Sequence, residues 1–337
     1  MNTISNKKKC YPISSKVTSY LKKYGRLKKL HLSYDSLLCY SDSFPLGDTL
    51  WISVIYSQND FQRINRELCY VYSLLKTEGD TSVIEHLRVE RIDFCLFGNS
   101  NPFRVRIINN FNDNYDYFYI KKTDTSRIFG LEMEDILSPN RITYFVDNDT
   151  LVEEHISGIP GDDFIKTEII QAKINKTRLA KEFIKFNERC FFTLLGDMRS
   201  YNFVIEMTHD FDDVQYRIRA IDFDQQCYEG KHRIYLPQFY KENLSMVNLV
   251  KSQLNAQTIN QYQKEERSRL ARRIKHSRYV LKDLFDIMAK EELSTKNKID
   301  ELKNDLAVHH QSSQFLKCDN MASILKLHLF SLVKYLN

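Results

Sequence analysis

A change of period near residue 158 constrains this chain more than anything in its composition. From residue 87 apolar and polar side chains alternate, as in half-buried strands: 87–97 (LRVERIDFCLF), 103–108 (FRVRII) and 115–121 (YDYFYIK). Gly98-Asn-Ser-Asn-Pro102 is dense in turn residues between the first two. Residues 125–137 then read as a helix ending at Ser138-Pro139, and two further strands follow at 141–146 and 150–156. Gly158-Ile-Pro-Gly161 breaks the pattern, and beyond it long helical stretches dominate: 173–194, 244–290 and 294–336. The expected fold class is therefore α+β. Its parts are an antiparallel β-rich lobe over 85–157 and a larger helical lobe over 158–337, which keeps the C-terminal helices.

Ahead of these, residues 1–84 are expected to form a mixed α/β module of their own. Residues 11–30 look helical and very basic, and 48–56 alternate like a strand. A helix runs from an expected N-cap at Asp60 through Lys76, with Ile64, Leu68, Val71 and Leu75 at helical spacing and Gly79 after it. With 337 residues, 42% of them hydrophobic, the chain can bury a sizeable core. A net charge of +5 on that length calls for no nucleic acid partner. The seven cysteines are scattered without zinc spacing, which points to reduced thiols. The basic start is followed by no apolar segment of signal-peptide length, and no window approaches the roughly 20 apolar residues of a membrane span. A soluble, cytoplasmic protein is expected, with delivery into another cell by a dedicated secretion machine left open.

Two polar clusters interrupt apolar, strand-like runs in the second half: 195–203 (LGDMRSYNF) and 220–226 (AIDFDQQ). Asp197 and Asn202 are five residues apart, so one tight loop can aim a carboxylate and an amide into a single cavity. Asp222 arrives on the next strand, after a polar connection at 208–215. Asp197 is placed to accept a hydroxyl proton, while Asn202 and Asp222 supply the hard oxygens that a metal-bridged phosphate needs. Arg199 could neutralise a transferring phosphoryl group, and Asp224 could add a second metal oxygen.

Other positions carry weaker signals. Lys121 ends an alternating strand, where its side chain could hold nucleotide phosphates. Glu132 and Glu134, on the following helix, are alternative carboxylate partners for it, because residues two apart on a helix face different ways. Gly98 sits in the first hairpin, where backbone amides could cover phosphates. At 153–155 (EEH) a strand backbone could bond an adenine edge. Residues 267–278 (RSRLARRIKHSR) form a basic amphipathic helix, to be read as a solvated face paired with Glu265 and Glu266 or as contact for an acidic partner.

Residues 87 to about 240 resemble the protein-kinase-like superfamily. The likeness rests on the five-strand-plus-helix order with Lys121 on the third strand, on Leu195-Gly-Asp through Asn202 as the catalytic loop, and on Ile221-Asp-Phe-Asp as the metal-binding tripeptide region. The wording is closer to aminoglycoside-phosphotransferase and lipopolysaccharide-kinase types than to regulated protein kinases. The loop histidine is replaced by Leu195, no multi-glycine loop is present, and no A-P-E follows Asp222. The resemblance implies a bilobal fold, ATP and Mg2+ as cofactors, Asp197 as base, Asn202 and Asp222 as metal ligands and Lys121 as the nucleotide lysine. The acceptor would be a hydroxyl on a small molecule, lipid headgroup or protein. Nucleotidyl (AMP) transfer on the same fold and a pseudokinase-like binding module are the alternatives.

Overall fold

The alternation over 87–122 becomes three antiparallel strands of a larger sheet in a computed structural model that describes residues 8–47, 49–97, 99–169, 174–210 and 213–336. The chain divides into two units, one of residues 1–125 and 142–155, the other of residues 126–141 and 156–337.

The first unit is built on a seven-stranded sheet: β1 (Asp42–Pro45), β2 (Trp51–Ile55), β3 (Leu87–Cys95), β4 (Phe103–Asn109), β5 (Tyr115–Lys122), β6 (Tyr144–Asp147) and β7 (Thr150–Glu154). The spatial order is β1-β2-β3-β4-β5-β7-β6, and every neighbouring pair is antiparallel. Its described residues include the α-helices α1 (Ser15–Lys23), α2 (Tyr34–Leu37) and α3 (Gln58–Lys76). The core gathers Ile64, Leu68 and Val71 of α3 with Val105, Phe118, Ile120 and Val152 of the sheet.

Three differences from expectation are informative. Residues 1–84 are not a module apart: Trp51, Ile52 and Ser53 pair with Cys95, Phe94 and Asp93, so the early strands extend the main sheet. The β6 edge is covered by the chain near residue 27, where the Val146 amide donates to the Arg26 carbonyl and the Lys28 amide to that of Val146, closing an otherwise open row of backbone groups. The helix expected from Asp60 is capped by Ser57, whose hydroxyl oxygen accepts the Asp60 amide while its hydroxyl proton goes to the Asp60 carboxylate. The basic segment 11–30 is helical only over α1, which stops where Gly25 takes φ +71°.

The second unit contains α4 (Thr125–Leu137) from Ser126 onward, which has the bounds that sequence spacing predicts. A three-stranded antiparallel sheet follows, from β8 (Ile159–Pro160), β9 (Phe203–Asp210) and β10 (Asp213–Ala220). The helices are α5 (Gly161–Thr167), α6 (Lys176–Thr193), α7 (Leu244–Gln253), α8 (Ala256–His276), α9 (Arg278–Met288), α10 (Lys296–His310) and α11 (Met321–Phe330). No helix among the described residues is long and apolar enough to cross a membrane. All seven cysteines are free thiols.

Part of the basic face of α8 is used inside this unit. Arg267 bonds Glu188 on α6 (2.7 Å) and Arg269 lies 3.6 Å from Glu266, while Leu270 and Ile274 are buried beneath them.

A histidine cluster joins the end of α6 to α10 and α11. Fully buried His328 stacks on Phe192 and meets the edge of Phe191. Its Nε2 is 3.1 Å from the Phe191 carbonyl oxygen, which only accepts, so this nitrogen carries the proton. His328 Nδ1 then accepts from Nε2 of His310 at 2.8 Å. His309, His232 (paired with Asp305), Lys334 and Arg267 supply the remaining neighbouring charge. Burial, with these cationic neighbours, pushes His328 well below the ordinary 6.5 and His310 down to about 4. Their folded-state values are depressed, so the unfolded chain takes up protons first as pH falls below 6.5. The contribution to stability is complete above that pH and is lost below it. Between pH 6.5 and 5, protonation linked to His328 should cost about 2 kcal/mol. Urea midpoints at the two pH values check this, and His328→Gln should flatten the dependence.

Candidate active site

Helix α6 ends against a backbone device that presents the loop after it. Leu194, its C-cap, has φ +53°; Asp197 follows at φ +57° and Cys227 at φ +52°. Three non-glycine residues in the left-handed region within one small neighbourhood are uncommon, and such backbone collects at functional sites. The loop lacks a histidine brace, and other bonds hold it. The Gly196 amide donates to the Gln225 carbonyl (3.3 Å), the Cys227 amide to that of Leu194 (2.9 Å), and the Gln226 side-chain amide to that of Thr193 (2.5 Å). Gly161 makes the close approach possible from the other side. A Cβ there would stand 2.5 Å from the Ser200 carbonyl and 2.3 Å from the Phe203 ring.

Asp197 is held through both backbone and side chain. Its amide donates to the Tyr240 hydroxyl (3.0 Å), which donates in turn to the Ile234 carbonyl (2.8 Å). Its carbonyl accepts from the Asn202 side-chain amide (2.7 Å) and the Arg199 amide (2.8 Å). Its Oδ1 accepts from Arg199 Nε at 2.8 Å, and Arg199 also reaches Glu242 at 3.2 Å. Partial burial raises the Asp197 pKa above the usual carboxylate value. Arg199 opposes that shift, and Glu242 and Glu229 add to it. A carboxylate with 34% of its side chain exposed and a raised pKa is a stronger base than a free one, and it is open to a substrate proton.

Asn202 ties this loop to the second cluster. Its carbonyl accepts the Ile221 amide (3.0 Å), in register with the Phe203–Ala220 pair that begins the β9–β10 hairpin. Asp222 follows directly, its side chain 33% exposed, with Oδ1 accepting the Asp224 amide (3.2 Å). Asp224 is different: its side chain is only 5% exposed and is ion-paired with Arg127, which also lies 3.4 Å from Asp222 Oδ1. Arg127 comes from α4, whose Gly130 lets the helix press on the loop. A Cβ on Gly130 would meet Cβ of Phe223 at 2.8 Å.

The oxygens suit a hard divalent ion. The Asn202 side-chain nitrogen is engaged, while its Oδ1 accepts no hydrogen bond among the described residues, and Asp222 offers a partly exposed carboxylate. Among the described residues no cluster of three or more His, Cys, Asp or Glu could hold a metal by itself. Magnesium, which is commonly held by one or two protein oxygens plus phosphates and waters, fits such a sparse donor set.

In the first unit, Lys121 Nζ is 2.6 Å from Glu153 Oε2 and both side chains are buried. Strand register explains the pair. Tyr119 lies opposite Glu153 and Lys121 opposite Leu151, so Lys121 and Glu153 are diagonal neighbours on one face. Lys122 points to the other face and is exposed, 3.8 Å from Asp35. Glu132 and Glu134 belong to the second unit. There Glu132 is buried, and the Glu134 carboxyl bonds Ser138 among Arg189, Arg219 and Arg273, its pKa raised by burial against their pull. Gly98 lies outside the described residues. Glu153, Arg127, Tyr240 and Glu242 carry no motif of their own. The sequence signal for Arg127 is a lone arginine among Ile128, Phe129, Leu131 and Met133, which requires a buried acid somewhere in the fold.

No protein-family model matches the chain, and no curated protein matches it. Among solved structures it is similar to the autoinhibited serine kinase domain of the giant muscle protein titin, with 11% identity over 74% of this chain and 94% of that one, at a TM-score of 0.28. It is similar as well to titin kinase with its flanking domains (11% identity, 71% and 53% of the two chains, TM-score 0.26). A third match is the Rad53 kinase domain with SCD2 (15% identity, 48% and 63%, TM-score 0.24).

Proposed function

We propose that this chain is a protein-kinase-like phosphotransferase, dependent on ATP and Mg2+, that phosphorylates a hydroxyl acceptor. One observation carries the reading. Asn202 bonds the Asp197 carbonyl through its side chain and the Ile221 amide through its backbone, so a single residue fixes a proton-accepting carboxylate relative to Asp222. Phosphoryl transfer needs that pairing of a positioned base and a positioned phosphate, and it asks little covalent chemistry of the protein.

Asp197 would orient the acceptor hydroxyl and take its proton. Arg199, shared between Asp197 and Glu242, sets the direction of that carboxylate and offers a partly exposed guanidinium for phosphate charge. Asn202 Oδ1 and Asp222 would hold Mg2+, which when bound neutralises charge on the phosphate oxygens. Within the first unit, Lys121, held by Glu153, is the proposed nucleotide lysine. The exposed arginines and lysines of α8 outside its internal pairs would suit an acidic acceptor or partner.

Incubation with γ-labelled ATP, Mg2+ and candidate acceptors tests the reading. Label on an acceptor or on the chain itself is the expected result. An adduct heavier by AMP would mean nucleotidyl transfer, and no label together with no rise in melting temperature at millimolar Mg-ATP would mean a binding module.

A further inference from the structure

Arg127 heads the fully buried large side chains, and its surroundings explain why an arginine is there. Its guanidinium is 1% exposed, ion-paired with Asp224 and 3.4 Å from Asp222 Oδ1. Gly130, one turn further along α4, brings the helix backbone close to Phe223 between those two acids. One cationic nitrogen therefore lies beside two carboxylates that the sequence offers as metal ligands. A guanidinium does not deprotonate in a protein, so its charge is permanent.

That placement gives the two acids different jobs. Asp224, nearly inaccessible and matched by Arg127, is consumed as a structural counter-ion. Asp222, a third exposed, keeps a face toward solvent. A divalent ion on Asp224 would have to reach a carboxylate that is only 5% exposed and sit against a fixed positive charge, a strongly repulsive arrangement at low local dielectric. An ion on Asn202 Oδ1 and Asp222 is reached from solvent, and it meets the Arg127 charge only across the longer 3.4 Å contact rather than through the direct ion pair that Asp224 makes.

We propose that Arg127 is a built-in cation of the 222–224 segment, standing where a second divalent ion would bridge its carboxylates, so that the site takes one divalent ion with its nucleotide. This rests on the phosphotransfer reading. Arg127 is in these terms a positioning residue: it locks Asp224, whose amide holds Asp222 Oδ1, and thereby aims the remaining metal-facing carboxylate.

The test counts Mn2+ bound to the full chain with a non-hydrolysable ATP analogue, from the loss of the free-ion electron paramagnetic resonance signal. Wild type should bind one ion per chain and Arg127→Gln two, with Arg127→Lys remaining at one. Two ions in wild type would overturn the proposal and leave the phosphotransfer reading intact, and that measurement needs no variant to fold. One ion in both wild type and Arg127→Gln would overturn it equally. A wild type that binds no Mn2+ with the analogue would remove the phosphotransfer reading and the proposal with it.

Discussion

Asp197→Asn is expected to lower phosphoryl transfer by about 10²–10⁴-fold with the fold and nucleotide affinity retained. The substitution is chosen for its backbone. Position 197 sits at φ +57°, where asparagine and aspartate are the non-glycine residues best tolerated. Alanine there would add left-handed strain of about 1 kcal/mol and confuse a loss of chemistry with a loss of structure. The Tyr240 hydroxyl, the Asn202 side chain and the Arg199 amide all bond the Asp197 main chain, so these contacts survive in the variant. Arg199 keeps Glu242. Only the proton acceptor is removed. Turnover within tenfold of wild type, at an unchanged melting temperature, would show that Asp197 is not the base. The pH profile gives an independent reading. The base works deprotonated, so activity falls on the acid side, with its inflection above the ordinary carboxylate value because burial raises the Asp197 pKa. Arg199 works against that shift, so Arg199→Gln should move the acid limb to higher pH.

What the sequence made legible was whatever is encoded locally. The 125–137 helix is found at its true bounds because its apolar spacing and the Ser138-Pro139 stop lie within one window. The strands at 87–95, 103–109 and 115–122 are found because burial of one face imposes a period of two. The loop from Leu195 to Asn202 and the hairpin leading to Asp222 were readable for the same reason: their polar residues stand at fixed offsets inside apolar runs. Partners were not readable. Lys121 finds Glu153, 32 positions on, because strand register places them diagonally, and register is set by pairing that no short window contains. Arg127 reaches residues 95 and 97 positions away for a similar reason. Residues 1–84 looked separable because their own pattern gives a strand and a helix, while their sheet neighbour, β3, lies beyond a long helix. Sequence spacing points to Asp60 as the cap and Ser57 takes it, because both are good N-caps three residues apart and only geometry shows which oxygen accepts the amide.

Arg189→Met should destabilise the second unit by about 3–5 kcal/mol, the largest stability effect expected of a single side chain here. Arg189 is buried where α6, α8 and β10 meet. Its guanidinium bonds Glu266 (3.2 Å), Glu182 (2.9 Å) and the Ile218 carbonyl (3.1 Å). These acids raise its pKa against the opposing effect of burial. Methionine fills much of the same volume, so the loss is electrostatic: Glu266 stays buried, its remaining ion pair among the described residues being the exposed, 3.6 Å contact to Arg269, and the strand carbonyl loses a donor. β10 leads directly into the Asp222 segment, so a loosened Ile218 should be felt at the site as well. Thermal unfolding should show a midpoint lower by roughly 10 °C for a unit of this size. The double variant Arg189→Met/Glu266→Met separates causes. If the cost comes from stranding a buried charge, removing both partners should recover most of it, since a well-packed apolar pair can replace a buried ion pair at little loss. A double variant no more stable than Arg189→Met would instead assign the cost to the lost bonds to Glu182 and the Ile218 carbonyl.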